Sequence, residues 1–86
     1  GIRFATALAD RVSNAAGDDI DTQITQLFRL ALLRSPDKDE RSLAVKFLAH
    51  HAAEYQKNST PAASQKSALV DLCRVVLNSN EFVFLD

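Results

Sequence analysis

Two adjacent histidines, His50 and His51, are the first candidates for chemistry in this sequence. Neighbouring side chains on a helix point about 100° apart, so two adjacent imidazoles are poorly placed to share a metal ion. A protein metal site needs three or four converging ligands, and Glu54, one helical turn beyond His50, adds one candidate at most. We therefore expect no metal and no other cofactor. His51 is predicted to pack on an apolar helix face and His50 to lie in solvent, paired with Glu54.

Cys73 is the single cysteine of the chain and the candidate nucleophile. A reactive thiol needs a nearby base and an accessible, electropositive site. Cys73 instead falls in an apolar stripe between Leu72 and Val76, where cysteine behaves as a small hydrophobic residue. The sequence also contains no glycine-rich phosphate loop, no Ser-His-Asp set and no haem-attachment motif. We predict that Cys73 is buried and inert and that the chain by itself is not an enzyme.

The acidic cluster at Asp37, Asp39 and Glu40 could suggest a cation site. It lacks the glycine-containing loop and the ligand spacing of a calcium site. Asp37 and Glu40 have the spacing of a capping box, in which each side chain accepts a hydrogen bond from the other residue's backbone N–H. A competing possibility is that Ser35 caps the helix with Pro36 at its first position. Helix capping by Asp37 and Glu40 is the prediction.

Composition and charge limit the classes of partner. The chain has 86 residues, 47% of them hydrophobic, with ten Lys and Arg against eleven Asp and Glu. Nucleic-acid binding depends on clustered positive charge, so this balance argues against a nucleic-acid partner. No apolar run reaches the length that crosses a membrane, so no membrane insertion is expected. Residues 1–86 are predicted to form a single helical module.

Apolar residues at helical spacing predict four helices. Their predicted spans are residues 2–15, residues 21–33, a third helix from the Asp37 cap to residue 56, and residues 64–77. Gly17 ends the first helix. The second helix has leucines at 30, 32 and 33 that widen its apolar stripe, so it is predicted to be the most buried. The fold class is all-α: a compact bundle of four helices with a short apolar C-terminal tail.

Residues 68–86, ALVDLCRVVLNSNEFVFLD, are the most specific part of the sequence. This segment resembles the closing segment of a planctomycete-specific C-terminal domain of unknown function, a type found downstream of cytochrome c-like domains. Residues 7–12 and 30–40 resemble two further motifs of that domain, in the right order. The sequence departs from the family in having Leu33 where glycine is common and Asp37 where threonine is common. Asp37 can cap a helix as threonine does.

The resemblance implies an architecture rather than an activity. It implies that this chain is the C-terminal fragment of a larger multidomain protein, exported or periplasmic, whose upstream domains include the haem region. The expected function is a non-catalytic structural or interaction module that docks on the upstream domains of the same parent chain. The alternative is that these helices form the wall of an active or haem-linked redox site completed by upstream domains. Arg34, His50 or Glu81 would then contribute a side chain.

The C-terminal tail carries the residues expected to dock. Phe82, Val83, Phe84 and Leu85 follow one another directly, so an extended tail would present two of them on each side. Phe82 and Phe84 would lie on one side and Val83 and Leu85 on the other. We expect one side to pack in a groove of the bundle, between the second and fourth helices, and the other side to stay exposed. Phe82, Phe84 and Leu85 are the predicted interaction residues. In the isolated chain, the exposed face would join a second copy in a two-fold homodimer.

Overall fold

A computed structural model describes residues 2–79 of the chain, which form four α-helices. The helices are α1 (Ile2–Ala16), α2 (Ile20–Leu32), α3 (Lys38–Gln56) and α4 (Pro61–Leu77), joined by short turns. They pack side by side as a compact bundle, and the predicted all-α four-helix fold is confirmed.

Three of the helices begin at a side-chain cap. Asp19, Asp37 and Thr60 each accept a hydrogen bond from a backbone N–H in the first turn of α2, α3 and α4. Such a cap typically stabilises a helix by about 1 kcal/mol. Because Asp19 caps it, α2 begins at Ile20, one residue before the predicted start. α4 begins at Pro61, three residues early, because a proline at the first helical position has no N–H to leave unpaired.

Two of the helices end at a residue in the left-handed conformation. Gly17 has a φ of 64° and closes α1 by donating its backbone N–H to the Ser13 carbonyl at 2.8 Å. Leu33 closes α2 in the same way, with a φ of 59° and its N–H on the Arg29 carbonyl. The left-handed conformation costs a non-glycine residue roughly 1–2 kcal/mol. Leu33 is 88% exposed, so its predicted place in the apolar stripe of the second helix is wrong.

α4 is the most deeply buried helix, rather than the predicted α2. It packs against α3 on one side and α1 on the other, and seven of its side chains are buried against four in α2. The core has members from all four helices, and burying a leucine or isoleucine in it contributes about 1.5–3 kcal/mol. Its largest fully buried apolar side chains are Ile24, Leu27, Leu69, Val12 and Cys73.

Part of the sequence prediction concerns residues beyond this range. Glu81 and the tail residues Phe82, Phe84 and Leu85 lie outside the described residues. Within residues 2–79, no helix has both the length and the apolar content needed to cross a lipid bilayer.

Candidate functional site

Three side chains form a hydrogen-bonded cluster between α3 and α4, here called the His51 cluster: His51, Tyr55 and Asp71. Nδ1 of His51 lies 3.0 Å from Oδ2 of Asp71. The Tyr55 hydroxyl donates to the same oxygen at 2.9 Å. His51 and Tyr55 are one helical turn apart on α3, so both reach the single carboxylate on α4. The Asp71 side chain is only 17% exposed. These two donors compensate for its partial removal from water.

The imidazole of His51 is held in one orientation. Its ring stacks on Phe47 with 3.9 Å between ring centroids and 18° between planes. Nδ1 is hydrogen-bonded to the Asp71 carboxylate, while Nε2 has no hydrogen bond to any residue in the described range. An imidazole oriented by a carboxylate in this way has the geometry of a general base. His51 is half-buried on the α3 face, where the sequence places it.

Neither the Cys73 thiol nor the Tyr55 phenol is an activated nucleophile for this imidazole. The Cys73 side chain is fully buried, and burial raises its thiol pKa to about 12. The hydrogen bond to Asp71 raises the pKa of the Tyr55 phenol. Both groups therefore stay protonated near neutral pH, and the visible role of the His51 cluster is to tie α3 to α4.

The adjacent histidines do not form a metal centre within the described part of the chain. No three His, Cys, Asp or Glu side chains converge there. His50 is exposed and lies edge-on to His51, with 5.9 Å between centroids. Glu54 lines the same shallow depression, but its carboxylate accepts a hydrogen bond from Lys57 Nζ at 3.1 Å. The predicted pairing of His50 with Glu54 is replaced by the Lys57 pair.

A second polar cluster, Arg34 with Asp37 and Glu40, lies at the α2–α3 turn. Arg34 donates two hydrogen bonds of 2.7 Å to the two oxygens of Glu40. Glu40 also accepts from the Asp37 backbone N–H, and Asp37 accepts from the Glu40 N–H, so the capping box is present. The bonds from Arg34 and Asp37 lower the pKa of Glu40 to about 2. Arg34 was one of the residues that could contribute to a redox site completed by other domains. In the structure its guanidinium stabilises the α2–α3 turn through Glu40.

An apolar groove of about 210 Å³ runs between α3 and α4, here called the α3–α4 groove. Leu43 and Val75 stand at this groove and are 68% and 54% exposed. Large apolar side chains grouped at a surface groove are typical of interaction sites, whereas scattered single ones are not. The groove is lined by Phe28, Glu40, Leu43, Ala44, Phe47, Leu72, Val75 and Val76.

A larger groove of about 520 Å³, here called the α2–α3 groove, lies between the start of α2, the middle of α3 and Gln65 of α4. Its apolar lining comes mainly from α3, and aspartates stand where the chain enters α2. The amino-acid sequence gives no sign of this groove, because its walls come from three helices. Its lining residues are Asp18, Asp19, Ile20, Asp21, Gln23, Val45, Leu48, Ala49, Ala52 and Gln65.

Neither Tyr55 nor Asp71 is among the predicted site residues, and the sequence signal for this cluster lies at Asp71. It is a single carboxylate flanked by Val70 and Leu72 in the apolar run of the last helix. A charge in such a run requires a partner, because burying it unpaired is costly. The sequence therefore indicates that Asp71 has a polar partner. It does not identify the partners, Tyr55 and His51, which lie 16 and 20 residues away.

Comparison with known proteins gives no match: no protein-family model, no curated protein and no solved structure matches this chain. The His51 cluster, the braced α2–α3 turn and the two grooves are the features of the described residues that bear on function.

Proposed function

We propose that this chain is a non-catalytic interaction module that docks through its α3–α4 groove onto another part of its parent polypeptide. The observation that carries this proposal is the exposure of Leu43 and Val75 at one apolar groove. The groove floor is built from the core residues Phe28 and Leu72, so a docked segment would extend the existing core.

The size of the exposed patch supports a partner within the same polypeptide. Within residues 2–79, the exposed apolar surface at this groove comes from only two large side chains, Leu43 and Val75. A stable interface between separate proteins buries about 800 Å² on each partner. A segment tethered in the same chain needs less contact area, because the tether holds it at an effective concentration in the millimolar range. The small groove therefore suits intramolecular docking better than a strong homodimer.

The resemblance to the planctomycete-specific C-terminal domain supports the same architecture. That family commonly has glycine at the position of Leu33, and Leu33 here has a φ of 59°. Glycine adopts this conformation without strain. On this proposal the parent protein is exported and multidomain, and the module closes its C-terminus.

The second candidate function is a wall of an active or haem-linked redox site completed by other domains. The observation that favours it is the oriented His51 imidazole, with Nε2 free of hydrogen bonds from the described residues. Here the module would supply His51, and the reactive groups would come from elsewhere in the parent.

Hydrogen exchange of the module, alone and within its parent polypeptide, tests the docking proposal. We expect amides of α3 and α4 around Leu43 and Val75 to be better protected in the parent. Leu43→Lys should remove that extra protection, whereas Leu33→Lys, which changes an exposed leucine away from the groove, should not. Equal protection in both contexts would contradict docking.

A shortened chain ending at Ser79 tests which apolar segment fills the α3–α4 groove. The two candidates are residues 80–86 of this chain and a segment elsewhere in the parent polypeptide. If residues 80–86 were the occupant of the groove, removing them would increase exchange around Leu43 and Val75 in the isolated module. That result would contradict docking by the rest of the parent. No change on shortening, together with protection in the parent, is the expected result.

A further inference from the structure

The α2–α3 groove has the dimensions of a small-molecule site. Its volume is about 520 Å³, and such sites typically measure roughly 300–1,000 Å³. On α3, Ala49 and Ala52 line the groove, and their short side chains leave the space open. Val45 and Leu48 add apolar surface to the same wall. The groove shares no lining residue with the α3–α4 groove, so the inference drawn from it is independent of the proposed docking function.

Gln23 offers a hydrogen-bond acceptor to this groove. It is 8% exposed and lines the groove, and its Nε2 donates to the Gly17 carbonyl at 2.6 Å. Its Oε1 accepts no hydrogen bond from a residue of the described range, and it is not among the fully enclosed unpaired atoms there. Gln23 as a residue is therefore nearly buried, and its Oε1 is unpaired by the described residues and still reachable from solvent. A ligand with an N–H donor would satisfy it.

The rim of the groove is negatively charged. Asp18, Asp19 and Asp21 all line it. Asp19 caps α2, and Asp21 has a long ion pair with Arg41, with 3.8 Å between Oδ1 and Nη1. Asp18 has no ion pair with any residue from 2 to 79. The positive end of α2 offsets only about half a unit charge of the three carboxylates. The rim favours a cation and disfavours an anion.

We propose that the α2–α3 groove binds a small organic cation: a primary ammonium group on a compact apolar body. The ammonium lies between the Asp18 carboxylate and Gln23 Oε1, and the apolar body lies on Ala49 and Ala52. The three elements of the groove, an unpaired acceptor, an unpaired carboxylate and an apolar wall, match the three parts of this ligand class. A bare metal ion fits poorly, because the apolar wall offers it no ligands.

A titration followed by ¹⁵N–¹H NMR tests the site, with hexylammonium chloride as the probe. For a ligand with so few heavy atoms, we expect a Kd on the order of 1 mM. Saturable shifts should appear at the backbone amides of Ala49 and Ala52 and at the side-chain amide of Gln23. Hexanol, with the same body and no charge, should bind at least roughly threefold more weakly, because it lacks the attraction to Asp18. Hexanoate should give no saturable shift at the same concentrations.

Two pairs of variants locate the site. Ala49→Leu fills the groove and should abolish the saturable shifts, whereas Ala53→Leu, an exposed position on the same helix outside the groove, should leave them unchanged. Asp18→Asn should weaken binding roughly two- to fivefold, and the exposed Asp39→Asn should not. All four substitutions are at exposed positions, so the bundle should stay folded.

Three results would each overturn the proposal. The first is equal affinity for hexylammonium and hexanol, which would mean that the aspartates contribute nothing. The second is the same titration curve for Ala49→Leu as for the unchanged chain. The third is a set of shifts that never saturates and is spread over all four helices.

Discussion

Nδ1 of His51 lies 3.0 Å from Oδ2 of Asp71, and this contact joins α3 to α4 across 20 residues of chain. The Tyr55 hydroxyl bonds to the same carboxylate oxygen. One partly buried acceptor thus holds two donors from one face of α3. The contact is the main polar link that the described residues make across this helix pair.

We predict that Asp71→Ala lowers the free energy of unfolding by about 1–2 kcal/mol, because His51 and Tyr55 both lose their acceptor. Urea unfolding at pH 7 measures the change. Glu54→Ala is the matched control, since it removes an exposed carboxylate bonded to Lys57. It should change stability by less than about 0.5 kcal/mol. Equal effects of the two substitutions would show that the His51 cluster is not a stabilising link.

The capping box of α3 should be measurable in the same way. Asp37→Ala removes the acceptor for the Glu40 backbone N–H, 2.8 Å away. The loss should cost about 1 kcal/mol. Ser35→Ala tests the competing cap and should have little effect. If the Ser35 substitution proved the more costly, the assignment of the cap to Asp37 would be wrong.

The Arg34–Glu40 pair predicts acid sensitivity. The folded protein lowers the pKa of Glu40 from 4.5 to about 2, so it favours the ionised carboxylate. The resulting stability is present above about pH 4.5 and is lost as the pH falls toward 2. The two side chains are 36% and 31% exposed. Solvent screening therefore limits the contribution to about 1 kcal/mol.

Glu40→Gln should therefore destabilise the protein at pH 6 and make little difference at pH 2. Urea unfolding of both proteins across this range measures the effect. A stability difference that stays constant with pH would show that the ionised pair does not contribute.

The thiol of Cys73 should be inaccessible in the folded protein. Its side chain is fully buried and its pKa is raised to about 12, so both access and thiolate content are low. We expect 5,5′-dithiobis(2-nitrobenzoate) to label it slowly at pH 8, and rapidly once concentrated urea has unfolded the chain. A rapid stoichiometric reaction with the folded protein would contradict burial and restore a reactive-thiol role.

Leu33→Gly should stabilise the protein by about 0.5–1 kcal/mol. The left-handed conformation costs leucine about 1–2 kcal/mol, and glycine avoids this cost. Part of the gain is offset because glycine increases the conformational entropy of the unfolded chain. Leu33 is 88% exposed, so little burial is lost. Leu43→Gly, in the interior of α3, should instead be destabilising by about 1 kcal/mol. Thermal and urea unfolding compare the two, and a destabilising Leu33→Gly would contradict the strain at this position.

Much of the fold could be predicted because it depends on local chemistry. The Gly17 stop and the capping box of Asp37 with Glu40 act within one helical turn, so the residue types at those positions are sufficient evidence. The start of α4 was predicted too late because the loop-like composition around Pro61 concealed a proline at the first helical position.

The amino-acid sequence by itself determined the number of helices, their approximate ends and the apolar stripe that contains Cys73, because these follow from interactions between residues at most four positions apart. The tertiary structure decided which stripe is most buried, since that depends on how many neighbours a helix has: α4 lies between α3 and α1. It also decided the pairing of Asp71 with His51 and Tyr55 and the position of both grooves. Those features need helices distant in sequence to meet at one angle and register, and no local pattern specifies that geometry.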